Sequence, residues 1–205
     1  MHYFTSDYHA GHSNILFLCN RPFKYIQDQD KTIVSNHNSI VTDADETTNL
    51  GDVGYKCSPF YVADFLKQLN GKHTIFLGNH DKPLRQAYAR GLLRDMIKSG
   101  KLQIMGGELA IQDPTFSIYK MLEIEGQRVF VGHYALRSWP SAFKGSIHLY
   151  GHSHSNLPDL HKSTDVGVDM ETETHKRFFP WSWKEIIDHM NSKPDIFSEK
   201  DGSEN

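Results

Sequence analysis

The sequence predicts an α/β fold in which short buried strands alternate with helices. Five short, mostly apolar segments rich in β-forming residues each end at a small residue, as buried strands do. Amphipathic segments with helix-capping residues lie between them. The chain has 205 residues, which is enough for one sizeable core and short for two. We therefore expect one domain over residues 1–190 and a polar, disordered tail over residues 191–205.

The five predicted strands share one local pattern, an apolar run followed by a small residue and then by a polar side chain. They cover residues 3–6, 49–50, 75–77, 129–131 and 147–150. The small residue is glycine in four cases, and we expect it to let the backbone turn sharply where the strand ends. A β-hairpin is predicted from residues 116–124 and 128–131, which flank Glu125 and Gly126.

Capping residues and apolar periodicity predict the helices over residues 30–41, 59–70, 83–98 and 182–190. Ser58 can cap the second helix, and Pro59 suits its first turn. Ser182 and Glu185 form a capping box at the start of the last helix. The helices fall between the strands, which is the order that defines an α/β fold.

Composition excludes several classes of protein. The net charge of -3 is not that of a general nucleic-acid or membrane-surface binder. We expect no signal peptide, because residues 1–7 have no basic segment followed by a long apolar one, and no apolar run approaches the ~20 residues of a membrane span. The two cysteines, Cys19 and Cys57, form no CxxC pair and indicate no disulfide framework. We expect a cytoplasmic protein.

Potential metal ligands follow each predicted strand. Because ligands of α/β sheets bind beyond the carboxyl ends of the strands, these side chains are expected to meet in one place. Carboxylate, imidazole and amide oxygen without thiolate suit Mn²⁺, Fe²⁺, Zn²⁺ or Ni²⁺. Eight groups exceed the needs of one ion and suit two ions that share a carboxylate. The eight are Asp7, His9, Asp52, Asn79, His80, His133, His152 and His154.

Five ordered motifs carry a resemblance to a known family. They are Asp7-x-His9, Gly51-Asp52, Gly78-Asn79-His80-Asp81, Gly132-His133 and Gly151-His152-Ser153-His154, and together they cover residues 7–154. The chain resembles the calcineurin-like metallophosphoesterases. The stretches SDYHAGHSNI and NRPF resemble the short single-domain members of bacteria and phages. The resemblance implies a four-layer α/β/β/α sandwich of two mixed sheets.

The resemblance also implies a role for each motif residue. Asp7, His9, Asp52 and His154 would hold one metal ion, and Asp52, Asn79, His133 and His152 the other. His80 would face the phosphate, and Asp81 would orient His80. Mn²⁺ is the expected ion, with Fe, Zn or Ni as alternatives.

The charge count predicts the same chemistry. Two divalent ions outweigh the carboxylates of Asp7 and Asp52, so the site would attract a phosphate and lower the pKa of a bridging water. The resulting hydroxide is the expected nucleophile.

Three further residues are candidates for substrate binding: Arg21, His12 and Asn14. Arg21 could bind a phosphate through two hydrogen bonds, or could be a loop residue that is solvated or stacked on Phe23. His12 and Asn14 could line the rim after His9 or cap the segment over residues 15–18. His148 is expected to be structural. The histidines at six other positions are expected on the surface: His2, His37, His73, His161, His175 and His189.

These observations predict a dinuclear-metal-dependent phosphoester hydrolase, with a phosphodiesterase favoured. His80 could protonate a poor leaving group, and no large insertion between the motifs would enclose a small monoester. The alternatives are a phosphomonoesterase, including a protein phosphatase, and a non-catalytic metal-binding scaffold. The expected partner is a phosphoester substrate, with nucleotides and nucleic acids among the candidates, and no membrane.

Overall fold

A computed structural model describes residues 1–113 and 118–194 of the chain. The strands are β1 (His2–Thr5), β2 (Glu46–Asn49), β3 (Lys72–Ile75), β4 (Leu102–Ile104), β5 (Tyr119–Ile124), β6 (Gln127–Gly132), β7 (Ile147–Tyr150), β8 (Ser163–Asp165) and β9 (Trp181–Ser182). The helices are α1 (Ile15–Leu18), α2 (Ile26–Ile40), α3 (Pro59–Lys67), α4 (Lys82–Ala89), α5 (Arg94–Lys98), α6 (Gly107–Gln112) and α7 (Trp183–Asn191).

Two mixed sheets form the centre of the molecule. The first sheet has the order β4-β3-β2-β1-β9, in which β1 to β4 are parallel and β9 is antiparallel to β1. The second has the order β5-β6-β7-β8, with β5 antiparallel to β6 and the other pairs parallel. Parallel neighbours require crossover connections, and the helices supply most of these in the first sheet. The predicted α/β sandwich of two mixed sheets is confirmed.

The apolar core has two parts that lie on opposite faces of the first sheet. One part includes Phe4 and Phe76 of the first sheet and its loops, with Val131 and Leu149 of the second sheet. The other includes Ile75 and side chains of the helices that cover the outer face. Ile75 and Phe76 point to opposite faces because successive side chains of an extended chain alternate. The strands of the first sheet are therefore packed against apolar side chains on both faces.

The connection over residues 133–146 packs against the side of β7 that faces away from the first sheet. Trp139 is buried with its ring 5.5 Å from that of His148, and its Nε1 donates to the carbonyl of Ser146 at 3.0 Å. His148 Nδ1 donates to the carbonyl of Phe130. Its Nε2 accepts from the amide of Leu136. His148 thus connects β7 to its surroundings, in the structural role that the sequence predicts.

Several predicted elements have different bounds in the structure. The predicted helix over residues 83–98 is wrong as a single element, because the chain breaks between α4 and α5 where Gly91 has a left-handed φ of 72°. Helix α2 begins four residues earlier than predicted, at Ile26. Strand β3 ends at Ile75, and the buried residues 76 and 77 follow it.

The hairpin and the caps agree with the prediction. Strands β5 and β6 pair up to Ile124 and Gln127. Glu125 and Gly126 form the turn, with φ values of 50° and 82°. Residues 116 and 117 of the predicted hairpin lie outside the described residues. Ser58 caps α3, and the capping box of Ser182 begins α7.

Polar residues are buried more often than the sequence predicts. Strand β2 is polar, yet Thr48 and Asn49 are buried at the centre of the first sheet. The expected surface positions of His37, His73 and His175 are wrong. Each ring has a partner that offsets its burial: His37 and His73 both bond the carbonyl of Asn70 at 3.0 Å, and His175 stacks on a tryptophan.

The ordered structure continues a few residues into the predicted tail. Asn191 belongs to α7, and Lys193 Nζ donates to the carbonyl of Ser163 and pairs with Asp159. Residues 195–205 of the tail lie outside the described residues. Over the described part of the chain, none of the helices is both long and apolar enough to cross a bilayer.

Candidate metal centre

The carboxyl ends of β1 and β2 bring the first ligands together. Backbone pairing continues past both strands, because the amide of Asp7 donates to Gly51 and the amide of His9 donates to Asp52 at 3.0 Å. A further bridge joins Ala10 to Gly54. This pairing places the loops after β1 and β2 side by side, with their polar side chains at one edge of the sheet.

The second sheet joins this edge through direct hydrogen bonds. His133 Nδ1 donates to the carbonyl of Leu50 at 2.8 Å. The amide of His152 donates to Asp7 Oδ2 at 2.9 Å. The proton on His133 Nδ1 leaves its Nε2 free to act as a ligand.

The seven predicted metal ligands lie together. Asp7, His9 and His154 offer ligand atoms within 4.8 Å of one another, and Asp52, His133 and His152 form a second such group. The two groups are joined by Asp52, whose Oδ2 lies 3.5 Å from His9 Nε2 and 3.5 Å from His133 Nε2. The seventh, Asn79, places Oδ1 3.0 Å from His133 Nε2.

Three atoms of these groups are buried and have no hydrogen-bond partner among the described residues. They are Asp7 Oδ1, His9 Nε2 and Asp52 Oδ2. A buried polar group without a partner costs about 1–3 kcal/mol, and more when it is charged. Divalent cations would satisfy all three atoms, and the donor set of carboxylate, imidazole and amide oxygen suits Mn²⁺, Fe²⁺, Zn²⁺ or Ni²⁺. The residues therefore fit a pair of such ions.

The backbone of the ligands is strained. Five of the seven have left-handed φ values, which are 58° at Asp7, 51° at His9, 56° at Asp52, 69° at His152 and 48° at His154. This conformation costs roughly 1–2 kcal/mol for each residue other than glycine. Such strain persists where the surrounding structure enforces it, and it is concentrated at functional sites.

Two glycines keep the ligands close to the backbone. A Cβ at Gly78 would overlap Asp52 Oδ1 and lie 2.7 Å from His133 Cε1. A Cβ at Gly151 would overlap Ser6 Oγ. Neither glycine has a left-handed φ, so their role is not the sharp turn that the sequence predicts. They are small because ligand side chains occupy the space that a Cβ would need.

The electrostatics of the site favour added positive charge. Burial lowers the pKa of His133, but the Asp52 carboxylate outweighs burial and raises it to about 9. Although burial opposes it, hydrogen bonding and charge from His133 hold the pKa of Asp52 below its usual range. Burial lowers the pKa of His9 to about 2, which keeps that imidazole in the neutral form that binds metals.

Asp169 is a residue of the candidate site that the sequence interpretation missed. Its Oδ2 accepts from His154 Nδ1 at 2.8 Å, which turns the Nε2 of that ring towards Asp7. Burial lowers the pKa of His154, but the Asp169 carboxylate raises it further, to about 11. The signal in the sequence is the run over residues 166–168, which Asp169 follows directly, although the small residue lies inside this run and not at its end as in the five motifs.

The expectation that Arg21 binds a substrate phosphate is wrong. Its guanidinium is buried and holds both carboxylate oxygens of Asp169, at 2.9 and 2.7 Å. It also donates to the backbone carbonyls of Tyr8 and Asp7 and to the side chain of Gln29. Because its donors are engaged inside the protein, Arg21 supports the ligand loops from behind.

His12 does not line the rim, and for Asn14 the structure contradicts only the capping alternative. His12 is 5% exposed, and its Nδ1 lies 3.3 Å from His9 Nδ1, so it packs behind a ligand instead of lining the rim. Burial and the nearby cationic Lys56 lower its pKa to about 4. Asn14 is exposed before α1, and its side chain makes no capping hydrogen bond.

Asp81 has different partners from those expected. Its Oδ2 accepts from the amides of Asp52 and Gly78, and its Oδ1 accepts from the amide of Val53, all at 2.8 Å. Asp81 thus holds the loop that carries Asp52, and it does not bond the His80 ring. Burial and the Asp52 charge raise the pKa of Asp81 to about 7.

His80 lies at the mouth of the site. It is partly exposed, and its ring centroid is 5.4 Å from that of His9. Its backbone amide donates to Asp52 Oδ1 at 2.8 Å, which ties its position to the carboxylate between the two ligand groups.

Two further polar residues support Asp7. Ser6 Oγ donates to Asp7 Oδ2. Asp165 lies nearby, and burial together with the Asp7 charge raises its pKa to about 6. Asp165 accepts from the amides of Gly167 and Ser155 at 2.6 and 3.0 Å. These contacts fix the loops of the second sheet beside the first ligand.

Comparisons with known proteins agree with the fold. A protein of unknown function from Aquifex aeolicus has a similar solved structure, with a TM-score of 0.63, 22% identity and coverage of 92% of this chain and 98% of that chain. An uncharacterized protein from Methanocaldococcus jannaschii is 28% identical over 85% of this chain and 84% of its own length. The structure of an archaeal phosphodiesterase matches with a TM-score of 0.46 at 17% identity over 81% of this chain and 82% of that one, a likeness too low to bear on activity. None of the protein-family models matches the chain.

Proposed function

We propose that the chain is a dinuclear-metal-dependent phosphoester hydrolase that prefers phosphodiesters. The observation that carries the proposal is the group of buried atoms without partners in the described residues, Asp7 Oδ1, His9 Nε2 and Asp52 Oδ2. Buried polar groups generally find partners, and these three belong to the two sets of carboxylates and imidazoles whose ligand atoms lie within 4.8 Å of one another. Strained ligand backbones beside them support a functional role.

Each cation would have four ligands. Asp7, His9, Asp52 and His154 would hold one, and Asp52, Asn79, His133 and His152 the other. Mn²⁺ suits this set of hard and borderline donors. When bound, such a pair supplies Lewis acidity, which lowers the pKa of a water molecule and neutralises charge on phosphoryl oxygens.

The chain's own residues supply orientation and a proton. Asp52 spans both ligand groups, and the amides that Asp81 accepts from fix the loop of Asp52. Asp169 holds the proton on His154 Nδ1 and so presents Nε2 to the centre. His80 would donate a proton from its imidazole to the leaving oxygen, which is the step that a diester with a poor leaving group needs most.

The preference for diesters is supported by the burial of Arg21. A monoester carries a second negative charge, and sites for such dianions commonly use arginines that bind two oxygens at once. Arg21 was the arginine expected to do this, and it is engaged with Asp169 inside the protein. A diester, with one negative charge, does not need it.

The test is hydrolysis of bis-p-nitrophenyl phosphate beside p-nitrophenyl phosphate. Metal-stripped protein is reloaded with Mn²⁺, Ni²⁺, Zn²⁺ or Mg²⁺, and bound metal is measured in the same samples. The variants are Asp52→Asn and His80→Ala, with Lys184→Ala as a control because Lys184 is exposed.

We expect diester turnover that Asp52→Asn abolishes together with metal binding. His80→Ala should keep both metals and lose roughly 10²–10⁴-fold in kcat. Faster turnover of the monoester would instead indicate a phosphomonoesterase. Two bound metals with no turnover of either ester would indicate a binding scaffold and overturn the proposal.

A further inference from the structure

We propose that Tyr55 is the positioning residue of His80, in place of the aspartate expected in that role. The proposal rests on the proposed function for its effect on rate, while the contact itself can be tested without turnover. Tyr55 would hold the proton donor of the same site.

The His80 ring has no hydrogen-bond partner in the part of the chain that the structure describes, although its backbone is fixed. Its amide donates to Asp52 Oδ1, and its carbonyl accepts from the amide of Lys82 at 2.8 Å. These bonds hold the Cα and leave the side-chain torsions free to select among rotamers. Any restraint on the imidazole must therefore come from its ring contacts.

Tyr55 makes the closest ring contact of His80. The two centroids are 4.1 Å apart with an interplanar angle of 43°, and the His9 ring is farther away at 5.4 Å. Aromatic contacts at such distances favour the packed arrangement by a factor of up to about ten. The contact is thus strong enough to select one orientation of the His80 ring.

Tyr55 is itself anchored. The amide of Tyr55 donates to the carbonyl of Ala10 at 3.4 Å, and Gly54 bridges to Ala10. The ring meets His12 edge-on at 4.7 Å, and Lys56 Nζ lies 5.3 Å from its centre. These contacts hold the Tyr55 ring in place, so that it can restrain the His80 ring that packs against it.

A neutral ring suits this position better than a carboxylate. Asp81, the neighbour of His80, is committed to three backbone amides of the loop around Asp52. A further carboxylate at the mouth would reduce the positive charge that attracts a phosphoester. Tyr55 restrains the imidazole without adding charge.

The contact is tested by NMR of the full chain with ¹³C-labelled histidine. The Cε1–Hε1 signal of His80 is assigned from its absence in His80→Ala. We expect the signal to be shifted by the Tyr55 ring current in the wild type and in Tyr55→Phe. In Tyr55→Leu the signal should move towards its random-coil position and become more mobile. An unchanged signal in folded Tyr55→Leu would overturn the proposal.

The effect on rate is tested with the diester assay. We expect Tyr55→Leu to lower kcat about tenfold with KM within twofold, and Tyr55→Phe to restore it. In the His80→Ala background, Tyr55→Leu should have no further effect, because the two residues act as a unit. A raised KM that persists in that background would make Tyr55 a substrate contact and overturn the positioning role.

The two arms separate this proposal from the proposed function. If the wild type hydrolyses no ester with any metal, the proposed function fails, and the NMR result alone decides whether Tyr55 positions His80. If the wild type is active and Tyr55→Leu leaves the His80 signal unchanged, only the positioning role fails.

Discussion

Replacing Asp81 tests whether this residue holds the loop of Asp52, as its contacts indicate, or orients His80, as the sequence predicts. Asp81→Asn can retain only one acceptor oxygen. The better orientation keeps the two bonds to the amides of Asp52 and Gly78 and turns the new NH₂ towards the amide of Val53. One charge-assisted hydrogen bond is lost, and a buried N–H is left without an acceptor, at a cost of about 2–4 kcal/mol. Asp81→Ala loses all three of these bonds and a longer one from the amide of Gly54 at 3.4 Å, at roughly twice that cost.

Replacement of Asp81 should also lower the metal affinity. The three amides belong to the segments that place Asp52 and Gly78 against His133, so their release misplaces the carboxylate shared by both ligand groups. Loss of such supporting contacts lowers metal affinity by about 10–100-fold. His80→Ala, in contrast, should leave metal affinity unchanged and cost only about 1 kcal/mol of stability, because the His80 ring makes ring contacts but no hydrogen bond within the described residues.

The assay combines urea unfolding, metal titration and kcat for wild type, Asp81→Asn, Asp81→Ala and His80→Ala. It is run at pH 8, above the value of about 7 to which burial and the Asp52 charge raise the pKa of Asp81. The reasoning is refuted if Asp81→Asn keeps its stability and both metals and loses only kcat. Asp81 would then act through His80, as the sequence predicts.

Three other changes have defined outcomes. Asp169→Asn should lower metal affinity about 10–100-fold in a calorimetric titration, because the His154 ring loses its carboxylate partner. Gly151→Ala should cost about 1–3 kcal/mol in urea unfolding and weaken metal binding, because the new Cβ would lie 2.6 Å from Asp7 Oδ2. Burial and the neighbouring His37 lower the pKa of His73 from 6.5 to about 4, so the unfolded chain takes up that proton first as the pH falls. Protonation of His73 in the unfolded chain should therefore lower the free energy of unfolding by about 2 kcal/mol between pH 7 and pH 5, and His73→Gln should lack this decrease.

Each of these predictions has a control. Lys184→Ala removes an exposed ion pair and should change neither metal affinity nor stability measurably. Gly126→Ala meets no atom within 4 Å and should cost only the roughly 1–2 kcal/mol of its left-handed backbone, without an effect on metal binding. Equal acid sensitivity of wild type and His73→Gln would contradict the role given to His73, and unchanged metal affinity in Asp169→Asn or Gly151→Ala would contradict theirs.

Much of the site could be read from the sequence, because it depends on local patterns. A strand that ends in a small residue and a ligand places that ligand at one edge of a sheet, wherever the strand lies. Asp7, Asp52 and His133 are therefore found together, as the pattern predicts. The fold class and the caps at Ser58 and Ser182 follow from equally local signals.

The errors concern side chains whose partners are distant in sequence. Arg21 reads as a loop arginine, but Asp169, 148 residues away, captures its guanidinium. The residues around Asp81 in the sequence do not reveal its partners, but the backbone amides of another loop donate to its carboxylate. His12 is a different case, because its partner His9 is only three residues away and burial decides its position.

The sequence by itself determined which residue types stand at the strand ends, and hence that the candidate centre offers oxygen and imidazole groups. Only the tertiary structure decided which of the neighbouring polar groups face the centre and which hold it from behind. The physical reason is that a buried polar group must find a partner, and its partner is fixed by packing between distant segments. Asp169 acquired its place beside His154 in that way.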